Sequence, residues 1–159
     1  MDDFSSKNFS DNVLNIQNSW AESVINIGKA YIEKKDYISI TNKFLDELYY
    51  FNGGKVLFKP TKAKNKQFRS SKNEFLSYFI GHDKVSEEDK GFALEPWKNI
   101  SFKNFDFLKI NNFLLSMGNY YFTDYKDNIT KVEFSFGYTL DDNKNLKIVF
   151  HHSSLPYNG

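Results

Sequence analysis

Between residues 130 and 140 apolar and polar side chains take turns: Val132, Phe134, Phe136 and Tyr138 alternate with Lys131, Glu133, Ser135 and Thr139. A period of two puts each set on its own face of a strand, so one face is buried and the other is polar or shared with a partner. Three more segments after Pro96 read as strands, at about 97–109, 112–124 and 145–154, with Asp141, Asp142 and Asn143 turning the chain into the last of them. The 17 Phe and 10 Tyr suit such a sheet, because rings pack well on a pleated surface.

The first half has a different period. From Ser10, a candidate N-cap, Val13, Ile16, Trp20, Val24, Ile27 and Tyr31 recur at steps of three and four, which predicts a lid helix ending near Lys34 with one buried face. A second helix, about 37–50, turns Ile40, Phe44, Leu45 and Leu48 to the same core, and Asn52, Gly53 and Gly54 stop it. A first strand at 55–59 ends at Pro60, which cannot donate to a ladder. Ser71 and Glu74 form a capping box for a short helix closed by Gly81. Helices followed by a meander predict an α+β fold: N-terminal helices packed on a curved antiparallel sheet that forms a cone-shaped half-barrel. At 159 residues one domain accounts for the chain, with its core at about 12–157 and residues 1–10 flexible.

With 21 basic and 20 acidic side chains the net charge is +1, so the field of the whole molecule does not point to nucleic acid or an anionic membrane as partner. A small molecule is the expected partner. The absence of Cys removes thiolate nucleophiles and thiolate metal ligands together. No stretch approaches the length of an apolar membrane span, and the cytoplasm is the expected compartment, a trimmed targeting peptide aside.

Oxygen and imidazole chemistry remains. The three histidines are His82, His151 and His152, and adjacent residues of a strand point to opposite faces, so His151 and His152 do not readily ligate one ion. Parity groups Leu146, Ile148, Phe150, His152 and Ser154 on the more apolar face, which turns His152 and Ser154 into the cone. A bulge would exchange the faces and present His151 and Ser153 instead. Arg69 is the sole arginine, and its planar fork answers a geometric need that lysine does not meet; a buried ion pair with a loop carboxylate is the favoured reading. Thr61 and Tyr78, taken singly, read as packing residues. The run Glu87, Glu88, Asp89 diverges in direction and reads as a solvated loop.

Several segments in family order resemble the iota-class carbonic anhydrases, a family related in fold to SnoaL-like and nuclear-transport-factor-like domains. They include 56–61 (VLFKPT), 68–69 (FR), 77–79 (SYF), 88–93 (EDKGFA), 96–97 (PW), 117–120 (MGNY), 132–133 (VE), 136–138 (FGY) and, most specifically, 151–156 (HHSSLP). The resemblance covers about residues 20–157. It implies reversible hydration of carbon dioxide to bicarbonate, a homodimer or higher oligomer, and hydroxyls at Thr61, Tyr78 and one serine of the closing motif in contact with bicarbonate. His152 and Ser154 are the parity choice; His151 and Ser153 are the other phase; Arg69 is a supporting residue.

No metal is expected. Zinc lowers the pKa of bound water from about 15.7 to about 7, equivalent to roughly 12 kcal/mol, whereas three hydroxyl hydrogen bonds to a charged oxygen supply roughly 5–9 kcal/mol. Free hydroxide therefore does not accumulate, and a positioned water losing its proton as it attacks, with imidazole as acceptor, is the expected mechanism. Two alternatives stay open: a member of the family dependent on Mn or Zn, with His82 or residues 87–89 as ligands, and a non-catalytic binding or oligomerisation module on the same fold.

Overall fold

A computed structural model describes residues 6–159; part of the segment expected to be flexible, residues 1–5, lies outside the described residues. Helix α1, Ser6–Ile32, begins earlier than Ser10. Its buried stripe runs Val13, Ile16, Trp20, Val24 and Ile27, while Tyr31, expected to continue it, is exposed and meets Tyr37 edge-on. Helix α2, Tyr37–Leu48, is capped by Asp36 and buries Thr41, Phe44 and Leu45. Ile40 lies toward solvent rather than in the core.

The chain leaves α2 one residue before Tyr49, which is extended and bridges to Ile148. That early exit drives the Tyr49 ring inward, where it is buried. Strand β1, Leu57–Lys59, is followed by α3, Lys72–Ile80, which has the full capping box of Ser71 and Glu74 and a left-handed Gly81 at φ 65°. Strands β2 (Trp97–Ile110), β3 (Phe113–Asp124), β4 (Ile129–Leu140) and β5 (Leu146–Ser154) complete the sheet.

The sheet order is β1-β5-β4-β3-β2. Strands β2 to β5 form the expected antiparallel meander, but β1 lies parallel to β5, so the sheet is mixed. A strand that arrives from the helical half takes the edge the meander leaves free, and its direction is not set by a hairpin. The sheet is curved rather than closed, and the helices pack on its concave side, giving an α+β cone. Bulges help it bend: Phe105 has no opposite residue on β3, and Gly118 sits so close to β2 that a Cβ there would fall 2.2 Å from the Lys103 carbonyl oxygen.

A second bulge decides the site. Gly137 of β4 faces Phe150 while Tyr138 faces Ile148, which leaves Val149 of β5 opposite nothing. Ile148 is therefore buried on the same side as His151 and Ser153, and the parity of the strand inverts at Val149. The expectation that His152 and Ser154 enter the cone is corrected: His152 is exposed, and Ser154 donates to Glu133 at 3.3 Å on the outer face.

Candidate functional site

Trp20 of α1 stands at the centre of one aromatic core, with Phe44, Phe79, Phe122 and His151 around it at ring separations of 5.8–6.4 Å. Beside it lies a small cavity, about 10 Å³, bounded on its polar side by Thr61, Tyr78, Tyr120, His151 and Ser153 and on its apolar side by Phe58, Phe79 and Phe92. That is room for about one water.

The polar groups arrive from four elements. Thr61 follows the end of β1, which Pro60 terminates, and Ser153 and His151 come from the inverted half of β5 next to it. Tyr78 projects from α3, and its hydroxyl accepts a hydrogen bond from the Lys62 backbone N–H at 3.3 Å. Tyr120 descends from β3 and donates to Ser153 Oγ at 2.5 Å. Ser153 and Thr61 share a short hydrogen bond between their hydroxyls. His151 is held at both ring nitrogens, Nδ1 by the Tyr49 hydroxyl at 2.9 Å and Nε2 by the Tyr120 hydroxyl at 3.2 Å. Trp20 Nε1–H donates to the Tyr49 oxygen at 2.9 Å.

Burial sets the protonation states. Desolvation raises the phenols of Tyr49, Tyr78 and Tyr120 above their ordinary pKa, so all three remain neutral donors. The same effect, followed by the charge of His152, lowers His151 well below an ordinary histidine. It stacks between Phe58 and Phe136 at 4.6 and 4.0 Å, surroundings that disfavour an imidazolium.

Arg69 makes the ion pair expected of it. Its guanidinium forks onto Asp89, at 2.6 and 2.9 Å, and also donates to the carbonyls of Lys66 and Glu74. Ser77 donates its hydroxyl to the same carboxylate. Glu88 accepts the backbone N–H groups of Lys64, Asn65 and Lys66, and those bonds lower its pKa to about 2. The acidic run thus ties the loop carrying Thr61 to the helix carrying Tyr78. Glu88 and Asp89 have other employment than metal binding, and His82 meets Asp83 at 3.4 Å away from the cavity. Among the described residues no three His, Asp or Glu side chains gather as a metal site.

Sequence reasoning placed Thr61 and Tyr78 at the site and kept His151 and Ser153 as the second phase. It missed Tyr120, Tyr49 and Trp20. Tyr120 stood only within a family segment, and the indole N–H of Trp20 was hidden inside a stripe that read as plain core.

Comparison with known proteins fits this geometry. Residues 11–155 match the family model described as metal-independent carbonic anhydrase. A metal-independent carbonic anhydrase of Nostoc sp. is 38% identical over 148 residues, covering 91% of this chain and 72% of its own. The crystal structure of a cyanobacterial iota-carbonic anhydrase complexed with bicarbonate superposes with a TM-score of 0.90 at 34% identity, covering 98% of this chain and 94% of its own. A nuclear transport factor 2-like protein of Salmonella enterica serovar Typhimurium, at 10% identity and a TM-score of 0.62 over 97% of this chain and 95% of its own, shares the fold.

Proposed function

The chain belongs to the metal-independent carbonic anhydrase family and is a carbonic anhydrase, and we propose that its chemistry takes place in the small cavity between Thr61, Tyr78, Ser153 and His151. Carbon dioxide and bicarbonate are its substrates, and it works without a resident metal, as its family does. The observation that carries the site is the convergence of three hydroxyls and a histidine from three separate segments on one space walled by aromatic rings.

In this reading carbon dioxide lies against Phe58, Phe79 and Phe92, and a water is oriented by the hydroxyls. As the water oxygen bonds to carbon, one electron pair of a C=O bond moves onto oxygen, the water's proton leaves to solvent, and bicarbonate results. The hydroxyls of Thr61 and Tyr78 meet the negative oxygen as it develops, when their hydrogen bonds strengthen most. The neutral phenol and alcohol donors need no change of protonation state to do this. Arg69 contributes by position, fixing the Thr61 loop against α3.

Stopped-flow hydration with a chelator present is the test. Activity above buffer that falls in Thr61→Ala and Tyr78→Phe supports the site; near-normal rates in both variants overturn it. Activity restored only by added Mn²⁺ or Zn²⁺ contradicts metal independence.

For assembly, we propose a homodimer through the outer face of the sheet, where Phe105 is 80% exposed and Leu108, Met117 and Phe150 lie exposed beside it. Sedimentation of a Phe105→Glu, Met117→Glu double variant as a monomer, against a larger wild-type species, supports this, and an unchanged mass refutes it. Among the described residues no helix is long and apolar enough to cross a membrane. The cytoplasm is the compartment proposed, tested by cell fractionation.

A further inference from the structure

The hydrogen-bond row through His151 has a direction, and both of its ends give the same one. An indole N–H can only donate, so at Trp20 the Tyr49 oxygen must accept. A phenol oxygen offers about two in-plane positions, one for its lone pair and one for its own hydrogen. With the lone pair committed to Trp20, Tyr49 directs its hydrogen to its other neighbour, His151 Nδ1. At the far end Tyr120 donates its hydrogen to Ser153, so its oxygen is left to accept from His151 Nε2.

We propose that Trp20, acting through Tyr49, is a positioning residue that locks His151 as the neutral tautomer with hydrogen on Nε2, so that the row Tyr120, Ser153, Thr61 points its hydrogens toward the cavity. His151 then serves as the first donor of the row and not as the base that removes the proton of water. The row runs Nε2–H to Tyr120, Tyr120 to Ser153 and Ser153 to Thr61. The hydrogens left at the cavity end are those of Thr61 and Tyr78, whose hydroxyls also lie within hydrogen-bond reach of each other, and a forming bicarbonate oxygen draws on this pair as donors. Reversing the row so that Nε2 accepts would place hydrogen on Nδ1, give the Tyr49 oxygen two donors and leave the Tyr49 hydrogen buried without an acceptor. The groups facing the imidazole from the surrounding elements are Trp20, Tyr49, Phe58, Tyr120 and Phe136, none of them a carboxylate that would stabilise an imidazolium.

This deepens the proposed site and rests on it, yet its decisive readout is independent of activity. Long-range ¹H–¹⁵N correlation on histidine-labelled protein, with His82→Gln and His152→Gln used for assignment, reports which ring nitrogen of His151 carries hydrogen. The expected result is hydrogen on Nε2 in the wild type and a second tautomer in Trp20→Phe, with Tyr49→Phe as the smaller change should the indole variant not fold. Hydrogen on Nδ1 in the wild type, or a single unchanged tautomer in the variants, overturns the lock. Kinetics supply the second arm. Gln at position 151 keeps an amide donor but has no basic nitrogen, so His151→Gln should retain hydration within about tenfold of wild type, whereas loss of a general base costs about 10²- to 10⁴-fold. A fall in His151→Gln as deep as that of His151→Ala overturns the donor role. If instead Thr61→Ala and Tyr78→Phe hydrate normally while the tautomer is as expected, the site reading fails and the lock stands.

Discussion

Two groups of polar side chains lie buried against the same sheet, and they use their hydrogens in opposite ways. In one, the side-chain amides of Gln17 and Asn104 exchange a reciprocal pair of hydrogen bonds at 2.8 Å, while Tyr138 and Ser116 pair at 2.9 Å and Tyr138 accepts from Gln17 at 3.2 Å. Every member faces another member, so the set closes on itself and stitches α1 to β2, β3 and β4. In the other, donor-only Trp20 starts a row that ends at Thr61 beside a cavity. Both sets contain tyrosine and serine, joined by amides in the first and by indole, imidazole and threonine in the second. What separates a structural cluster from a candidate site is whether the chain of donors terminates inside or at an open space.

The largest effect should come from the support beneath the second cluster. Arg69→Met leaves the Asp89 carboxylate buried without its partner, and a loss of about 3–5 kcal/mol is expected in chemical denaturation. Next, Ser153→Ala interrupts the row and should lower kcat for hydration by about 10²- to 10³-fold, the range for removal of one donor at a developing oxyanion. Tyr138→Phe, in the closed cluster, should leave kcat within about twofold of wild type but reduce stability by about 0.5–1.5 kcal/mol through the bonds lost to Ser116 and Gln17, which keep each other and Asn104 as partners. Equal kinetic losses in the two variants would erase the distinction.

Acid should expose the same contrast. The folded pKa of His151 lies below its unfolded value of about 6.5, so the unfolded chain takes up the proton first. Stability from this residue is complete above about pH 6.5 and is lost as pH falls toward the folded pKa, by up to about 1.4 kcal/mol per pH unit. Thermal melts from pH 7.5 to 5.5 should decline more steeply in wild type than in His151→Gln. The smallest effect belongs to Ser154→Ala on the outer face, where hydration rates should match wild type.

Much of the frame was legible. The alternation at Val132, Phe134, Phe136 and Tyr138 is a local property of an extended chain, and all four are buried. The box of Ser71 and Glu74 and the stop at Gly81 are equally local, and all stand as read. Arg69 was legible because one guanidinium among lysines implies a fork-shaped need, which Asp89 meets. The phase of β5 was not, because a bulge is a property of two strands. One signal was present: Gly137 is an isolated glycine within a strand, and a Cβ there would lie 3.1 Å from the Phe150 Cβ, beside the unpaired Val149. The Trp20, Tyr49, His151 link was beyond reach, since it joins residues 29 and 102 positions apart through the fold alone.

The size of the cavity carries a kinetic consequence. About 10 Å³ admits a single water, whereas carbon dioxide and a water together bring four heavy atoms. In the proposed site the rings of Tyr78 and Phe92, stacked 5.5 Å apart, are the wall whose parting would admit both. Where parting of these rings limits turnover the activation volume is positive, and hydrostatic pressure applied during hydration should slow this enzyme before it unfolds it.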